Sequence, residues 1–345
     1  MKPEQDCVNI KNLSLAELES FVVSLGEKPF RGKQLARWMY GKGARGFAEM
    51  TNLAKAFRQK MEEKAWISHL APEEVQTSKD GTRKLRFRLR DGHRVESVLI
   101  PERDHETLCI STQVGCALGC KFCLTGKKGL IRNLDPSEII DQVLAARTIL
   151  AEEKKLTNLV LMGMGEPLEN FGPVVQALEI IRAEDGLGLS HRRVTVSTAG
   201  IIPRIEELFS RHHFVMLAIS LNASTDEGRS HLMPINRKYP LKDLLALCRR
   251  LPLDRREKIT FEYVLIKGVN DTEEDAHRVA ELLQGIRAKV NLIPFNPHPQ
   301  SSFHPPDGES ILKFREVLMA RHFTALIRQS KGADILAACG QLAGE

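Results

Sequence analysis

The sequence predicts an α/β protein: a partial (βα)6 barrel preceded by a small helical domain and a β-ribbon linker. Three observations carry this prediction. From Thr107 onward, strand-like and helix-like runs alternate six times, the pattern of parallel strands joined by crossover helices. The small and polar residues of this stretch fall just after the strand candidates, on one rim of the expected sheet. Two dipeptides, Asp80-Gly81 and Asp91-Gly92, sit between strand-like residues and mark tight hairpin turns.

In chain order, Ser14 and Glu17 form a capping box ahead of Leu15, Leu18, Phe21, Val22 and Leu25, and Gly26 ends that helix. Pro29 opens a second helix carrying Leu35, Trp38 and Met39, and a third runs from about Leu53 to Ala65. An antiparallel ribbon follows. The barrel strands are expected at Leu108–Thr112, Asn158–Met162, Arg193–Ser197, Val215–Leu221, Thr260–Ile266 and Val290–Phe295. Their helices are expected near 137–149, 171–183, 201–210, 241–250, 272–284 and 308–321. The domain organisation is then a helical accessory domain at 1–70, for which RNA binding is one expectation of its basic residues, the ribbon at 71–101, the barrel at 102–330 and a C-terminal tail at 331–345.

With 345 residues, 42% hydrophobic and 27% charged, the chain can build a sizeable core. Its start lacks an apolar leader and no run reaches spanning length, so a cytoplasmic protein without membrane contact is expected. Seven cysteines, three of them clustered, are not a secreted disulfide framework in a chain this long. The net charge of +6 is modest, but its distribution is not even. Arg31, Lys33, Arg37, Lys42 and Arg45 crowd one stretch, and Lys84, Arg86, Arg88 and Arg90 alternate with Leu85, Phe87 and Leu89. Such a stripe either attracts phosphates or is a solvated face.

The most informative motif is Cys116-Ala-Leu-Gly-Cys120-Lys-Phe-Cys123. Structural zinc is usually closed by two cysteine or histidine pairs, and here the second pair is missing. Three thiolates from one tight loop suit a [4Fe–4S] cluster whose fourth iron stays open to bind and reduce S-adenosylmethionine (SAM). Zinc and buried thiols are the alternatives. Gly165-Glu166-Pro167 follows the second barrel strand, where glycine permits close backbone approach and proline fixes a turn. Ser197, Ser220, Asn222 and Asn296 stand at other strand ends and suit contacts to a polar ligand, or are simple turn residues. Cys109, in an apolar strand, and Cys339, among small residues near the C-terminus, are either spare thiols or packing residues. Cys7 and Cys248 have no motif around them.

The chain resembles the radical SAM enzymes and, more closely, the RlmN family of bacterial dual-specificity adenine-C2 RNA methyltransferases. The resemblance spans nearly the whole chain. It rests on Val95-Glu96-Ser97, Thr107-Leu108-Cys109-Ile110-Ser111-Thr112-Gln113-Val114-Gly115-Cys116, Met162-Gly163-Met164-Gly165-Glu166-Pro167-Leu168, Val194-Thr195-Val196-Ser197-Thr198, Asn291-Leu292-Ile293-Pro294-Phe295-Asn296-Pro297 and Ala337-Ala338-Cys339-Gly340-Gln341-Leu342. Asn222 departs from the histidine expected in the family; both side chains hydrogen-bond a ribose or carboxylate.

The resemblance implies one [4Fe–4S] cluster on Cys116, Cys120 and Cys123, and two SAM molecules per turnover. SAM would be contacted at Gly165, Glu166, Ser197, Ser220, Leu221, Asn222 and Asn296. Carbon 2 of adenine is electron-poor and does not attack a methyl sulfonium, so a carbon radical is needed. As the resemblance implies it, Cys339 is methylated by one SAM, and a second is cleaved to a 5′-deoxyadenosyl radical that takes a hydrogen from the new methyl group. The methylene radical adds to carbon 2, Glu96 accepts the ring proton, and Cys109 attacks the Cys339 sulfur, leaving a transient disulfide. The implied partners are 23S rRNA, tRNA and a one-electron donor such as flavodoxin, with a monomer expected. Four alternatives stay open: a Cfr-type enzyme methylating carbon 8, a glycyl-radical activase, a small-molecule radical SAM enzyme, and an RNA-binding protein with a structural cluster.

Overall fold

The computed structural model describes residues 7–150, 154–211 and 215–344. The chain opens with β1 (Val8–Asn9) and α1 (Leu15–Ser24), whose capping box pairs Ser14 with Glu17 as expected. α2 (Phe30–Ala36) begins just after Pro29 but passes at Arg37–Gly41 into a π turn that carries Trp38 and Met39. α3 (Lys55–Lys64) and β2 (Ala65–Trp66) complete the module, with β2 parallel to β1. Leu18, Val22, Leu35, Met39 and Phe57 are buried in a core continuous with that of the barrel.

The ribbon consists of β3 (Pro72–Thr77), β4 (Arg83–Arg88) and β5 (Arg94–Pro101), all antiparallel. Its turns form where the Asp-Gly pairs stand, with Gly81 at φ +84° and Gly92 at φ +87°, values that suit glycine. The basic stripe on β4 meets acids from both neighbouring strands. Arg86 pairs with Glu74 at 2.8 Å, Arg88 pairs with Glu73, and Lys84 lies 3.5 Å from Glu96. Hydrogen bonds from Arg94 and Arg88 hold the Glu73 carboxyl down to about 2. This face is neutralised rather than open to phosphate.

The barrel begins with β6 (Glu106–Cys109), which pairs antiparallel with β5, so the ribbon continues the barrel sheet directly. Short β7 (Gln113–Gly115) and β8 (Leu130–Asn133) flank the cysteine loop and its one-turn helix α4 (Leu124–Lys127). Next come α5 (Pro136–Thr148), β9 (Leu156–Leu161), α6 (Phe171–Arg182), β10 (Val194–Thr198), α7 (Ile202–Arg211) and β11 (Met216–Ser220). α8 (Asp226–Leu232), α9 (Leu241–Arg250), β12 (Ile259–Leu265), α10 (Glu273–Leu282), β13 (Ala288–Pro294), α11 (Gly308–Ala320) and β14 (Thr324–Ile327) follow. β6 and β9 to β14 pair in sequence order, all parallel, which closes the six predicted units with a seventh strand. At four residues, β14 is too short to show a readable alternation. Among the described residues no helix is long and apolar enough to cross a membrane.

One buried ion pair joins module and barrel. Lys11 Nζ lies 2.6 Å from Asp141 of α5 and also donates to the Ser68 carbonyl at 2.7 Å. Burial raises the Asp141 carboxyl above its usual range, and Lys11 opposes that rise. Lys11→Met therefore leaves a buried acid without its counter-charge, at an expected cost of about 3–5 kcal/mol in denaturant unfolding. Removing both charges, with Lys11→Met and Asp141→Leu together, recovers most of that loss. A single variant as stable as the parent would show the pair to be dispensable.

Candidate active site

The cysteine loop is shaped by its ends. β7 and β8 pair across it, and Cys116 N–H donates to the Gly129 carbonyl at 2.9 Å. Gly115 stands at φ +79°, and a Cβ there would lie 1.9 Å from the Gly129 oxygen, so no other residue fits. Cys123 N–H closes a turn on the Cys120 carbonyl at 3.1 Å. All three thiols are free, as are Cys109 and Cys339. Burial pushes Cys116 up to about 12, and burial together with Cys123 and Cys116 pushes Cys120 well above the usual range. Such thiols are protonated at neutral pH unless a metal replaces the proton.

The donor set fits a [4Fe–4S] cluster. It offers three soft sulfur ligands on one loop, with a cavity directly beside them. Among the described residues the group of three ligand atoms within 4.8 Å of one another is His191, Asp254 and Glu257, which precede β10 and β12 at the far end of the barrel.

The cavity measures about 150 Å³ and opens on the carboxyl ends of the strands, with Cys120, Cys123, Gly165, Ser197, Ser220 and Cys339 on its wall. Gly165, at φ +99°, lets the Gly-Glu-Pro loop press on Gln113, where a Cβ would fall 2.5 Å from the Gln113 Cβ. Glu166 also lines the cavity, but its carboxylate is used by the backbone. It accepts from Ala199 N–H at 2.8 Å and Leu168 N–H at 3.1 Å, tying the loop after β9 to the loop after β10. Burial lifts this carboxyl to about 7. Asn222, at φ +56°, accepts from Val264 N–H at 2.8 Å and directs its amide to the Met233 sulfur. Leu221 is fully buried in the core and does not line the cavity.

Asn296 also reaches the cavity, yet both ends of its side chain are engaged by the C-terminal segment. Its amide donates to the Cys339 carbonyl at 3.0 Å and its oxygen accepts from Ser330. Further bonds hold the tail in place. Gln341 donates to the Pro297 carbonyl at 2.7 Å, and the Gly340 carbonyl accepts from Leu124 N–H at 2.8 Å. The Leu342 carbonyl accepts from Thr125 Oγ at 2.7 Å, and the Ala343 carbonyl accepts from Lys128 Nζ at 2.9 Å. Glu96 completes the clamp: its carboxylate accepts from Ala343 N–H at 2.9 Å and Gly344 N–H at 3.1 Å. Of the predicted site residues, Glu96 stands outside the cavity wall, as do Cys109 and Cys116.

The tail brings Cys339 to the cavity, where its thiol remains accessible. Desolvation by the surrounding protein, aided by the Glu262 carboxyl, pushes this thiol up to about 11. Cys109, buried at the end of β6, is driven above the usual thiol range by burial, with the Cys339 thiol adding to the effect.

Two residues escaped sequence reasoning. Glu262 is half-buried in the cavity wall, and Ser197 Oγ donates to it at 3.1 Å. Burial raises its carboxyl. A lone acid in the apolar run Ile259–Leu265 was the available signal. Arg229 is fully buried and ties the ends of β10 and β11, donating to the carbonyls of Ala199 (2.6 Å), Ser220 (2.9 Å) and Leu221 (3.1 Å). Nothing in the local pattern Asp-Glu-Gly-Arg-Ser distinguishes it from a solvated helix residue.

Residues 8–67 match the family described as the ribosomal RNA large subunit methyltransferase N-terminal domain, and residues 110–281 match the radical SAM superfamily. A dual-specificity RNA methyltransferase RlmN of Geobacter sulfurreducens is 54% identical, over 98% of this chain and 92% of its own length. The protein of the same name from Anaeromyxobacter dehalogenans is 49% identical, over 99% and 93%. The crystal structure of a radical SAM methyltransferase from Sphaerobacter thermophilus has a TM-score of 0.92 at 43% identity, covering 98% of this chain and 100% of that one.

Gly115→Ala tests the loop geometry. Iron bound per protein after anaerobic reconstitution is expected to fall by more than half, because the Gly129 oxygen must move and take Cys116 with it. A full iron complement in a well-folded variant would show that the hairpin does not set the ligand position.

Proposed function

Because this chain belongs to the RlmN family of radical SAM RNA methyltransferases, we propose that it forms 2-methyladenosine in 23S rRNA, at the peptidyl transferase region, and in tRNA, at an anticodon-loop adenosine. One observation carries the reading: an ordered C-terminal tail holds a free thiol, Cys339, in the cavity wall beside Cys120 and Cys123. A structural cluster protein has no use for such a thiol. Near-full-length relatives named RlmN favour carbon 2 over the Cfr-type carbon-8 reaction.

In this reading Cys116, Cys120 and Cys123 hold one [4Fe–4S] cluster, and two SAM molecules are consumed per turnover. When bound there, the cluster would supply one-electron reducing chemistry toward SAM. Gly165 gives the cofactor close backbone access, with Ser197, Ser220 and Asn222 on the same wall. Glu166 acts by fixing two loops, and Asn296 by fixing the tail. Cys339 carries the methyl group and then the bond to adenine. Cys109 displaces the product by attacking the Cys339 sulfur, forming the disulfide as the carbon–sulfur bond breaks. Glu96 accepts the ring proton, a role that requires its carboxylate to let go of Ala343 and Gly344. The enzyme works as a cytoplasmic monomer, with flavodoxin or a similar protein as one-electron donor.

RNA from cells lacking this protein, incubated anaerobically with reconstituted enzyme, SAM and reductant, should yield 2-methyladenosine by nucleoside mass spectrometry. 8-Methyladenosine, or SAM cleavage without any methylated adenosine, would refute the carbon-2 assignment. Cys339→Ala should abolish turnover and leave the cluster's absorption intact; loss of the cluster would make Cys339 a ligand. Cys109→Ala should accumulate a covalent protein–RNA adduct, since addition still occurs and resolution does not. Mutant protein free of RNA after the assay would count against the resolving role.

A further inference from the structure

A second cavity, of about 200 Å³, lies where the helical module meets the barrel. One wall is the second half of α5, from Asp141 to Thr148; the other is the π turn and the loop that follows it to Arg45. Because α5 leads to the starting end of β9, this cavity sits at the end of the barrel opposite the Cys339 site. Neither the SAM chemistry nor the tail uses it.

Its charge is one-sided. Asp141 is held by Lys11 at 2.6 Å, so these two lining residues cancel. Lys42, Arg45 and Arg147 remain, and among the described residues none of them pairs with a carboxylate. Arg147 donates to the carbonyls of Tyr40 and Leu187, while Lys42 rests over the Trp38 ring, 3.8 Å from its centre. The basic cluster read from the sequence divides here. Lys33 lies 4.0 Å from Glu19, Arg37 lies 2.6 Å from Asp185, and Arg31 bonds Gln34. Lys42 and Arg45, whose side chains have neither a carboxylate nor an amide partner among the described residues, both line the cavity.

The floor carries an independent sign of a ligand. Tyr40 is 1% exposed and lines the cavity, yet its hydroxyl has no hydrogen-bond partner. Buried polar groups are nearly always paired, so an unsatisfied hydroxyl on a residue that lines a basic pocket calls for an acceptor. The ligand must be an anion, because the unpaired lining charges are all positive. It must also offer several oxygens, so that a deep hydroxyl and cations from two walls can bind it together. A guanidinium fork and a lysine meet those needs best on a tetrahedral phosphate.

We propose that this cavity is a binding site for one phosphate group, with the Tyr40 hydroxyl as its deep donor and Lys42, Arg45 and Arg147 as its counter-charges. The phosphate is either a phosphodiester of bound RNA, remote from the reacting adenine, or part of a free phosphate-bearing compound. The first source rests on the RNA reading above; the second does not.

The test uses the full chain carrying Trp66→Phe, which leaves Trp38 as the sole indole of the two in the sequence. Inorganic phosphate should draw Lys42 off the Trp38 ring and give a saturable change in emission, matched by heat in calorimetry. Tyr40→Phe should weaken this binding about tenfold, as expected for loss of a hydrogen bond to a charged partner. Lys42→Gln and Arg45→Gln, at exposed positions, should weaken it too. No saturable binding by either method, or binding that all three variants leave unchanged, overturns the proposal. RNA titrations across salt concentrations then identify the source. If Lys42→Gln/Arg45→Gln lowers the slope of log affinity against log salt by about 1 or more, the phosphate belongs to RNA. An unchanged slope, with inorganic phosphate still bound by the parent, assigns the site to a free compound. Failure of RNA methylation would leave the phosphate arm intact, so the two readings fail separately.

Discussion

The site depends on holding a chain terminus still. Residues 339–344 form no strand or helix, and apart from a turn between Gln341 and Ala338 the bonds that fix them come from elsewhere in the fold. Asn296 and Pro297 contribute from beyond β13, Leu124, Thr125 and Lys128 from the cysteine loop's helix, and Glu96 from β5. A typical hydrogen bond contributes about 1 kcal/mol net, and somewhat more when one partner is charged. Ordering the backbone costs about 1–2 kcal/mol per residue. For a segment this short the two sides nearly cancel, so the tail docks in a defined position yet can leave it. The role proposed for Cys339, entering a cavity and then carrying a bulky substrate, calls for that balance.

The rim beneath the tail is assembled by the opposite strategy. Arg229 and Glu166 are buried ions whose partners are backbone groups of neighbouring loops. Burial depresses the guanidinium to about 10 and raises the carboxyl to about 7, so both are kept at an energetic cost. In return, the loops after β9, β10 and β11 move as one body. A preorganised rim and a releasable tail divide the work between rigidity and exchange.

The barrel was legible because each of its units repeats a pattern that needs only local information. Alternating apolar runs, caps and turn residues placed six strands and six helices within a few residues of where they stand. The cysteine loop was legible for a similar reason, since its three cysteines are close in sequence. Long-range pairings left no such trace. The direct union of β5 with β6 depends on two strands whose sequences look alike whether they meet or not. The neutralisation of the β4 stripe needed Glu73 and Glu74, which a one-strand reading sees as ordinary surface acids. Asn296 and Glu96 stood out in sequence, but their bonds to the tail arise only when the last residues fold back across the barrel.

That return of the tail has a consequence for how the protein is made. Roughly two hundred residues separate the cysteine loop from Cys339, which at about 5–20 residues per second of synthesis is on the order of 10–40 s. Throughout that interval the nascent chain displays its three thiols while Leu124, Thr125 and Lys128 have nothing to bind. The order of biosynthesis is therefore written into the topology: the cysteine loop emerges first, and a segment translated some two hundred residues later closes over it. A chain truncated after β14 would keep the whole barrel and the cysteine loop, and would lack the strap that lies across them.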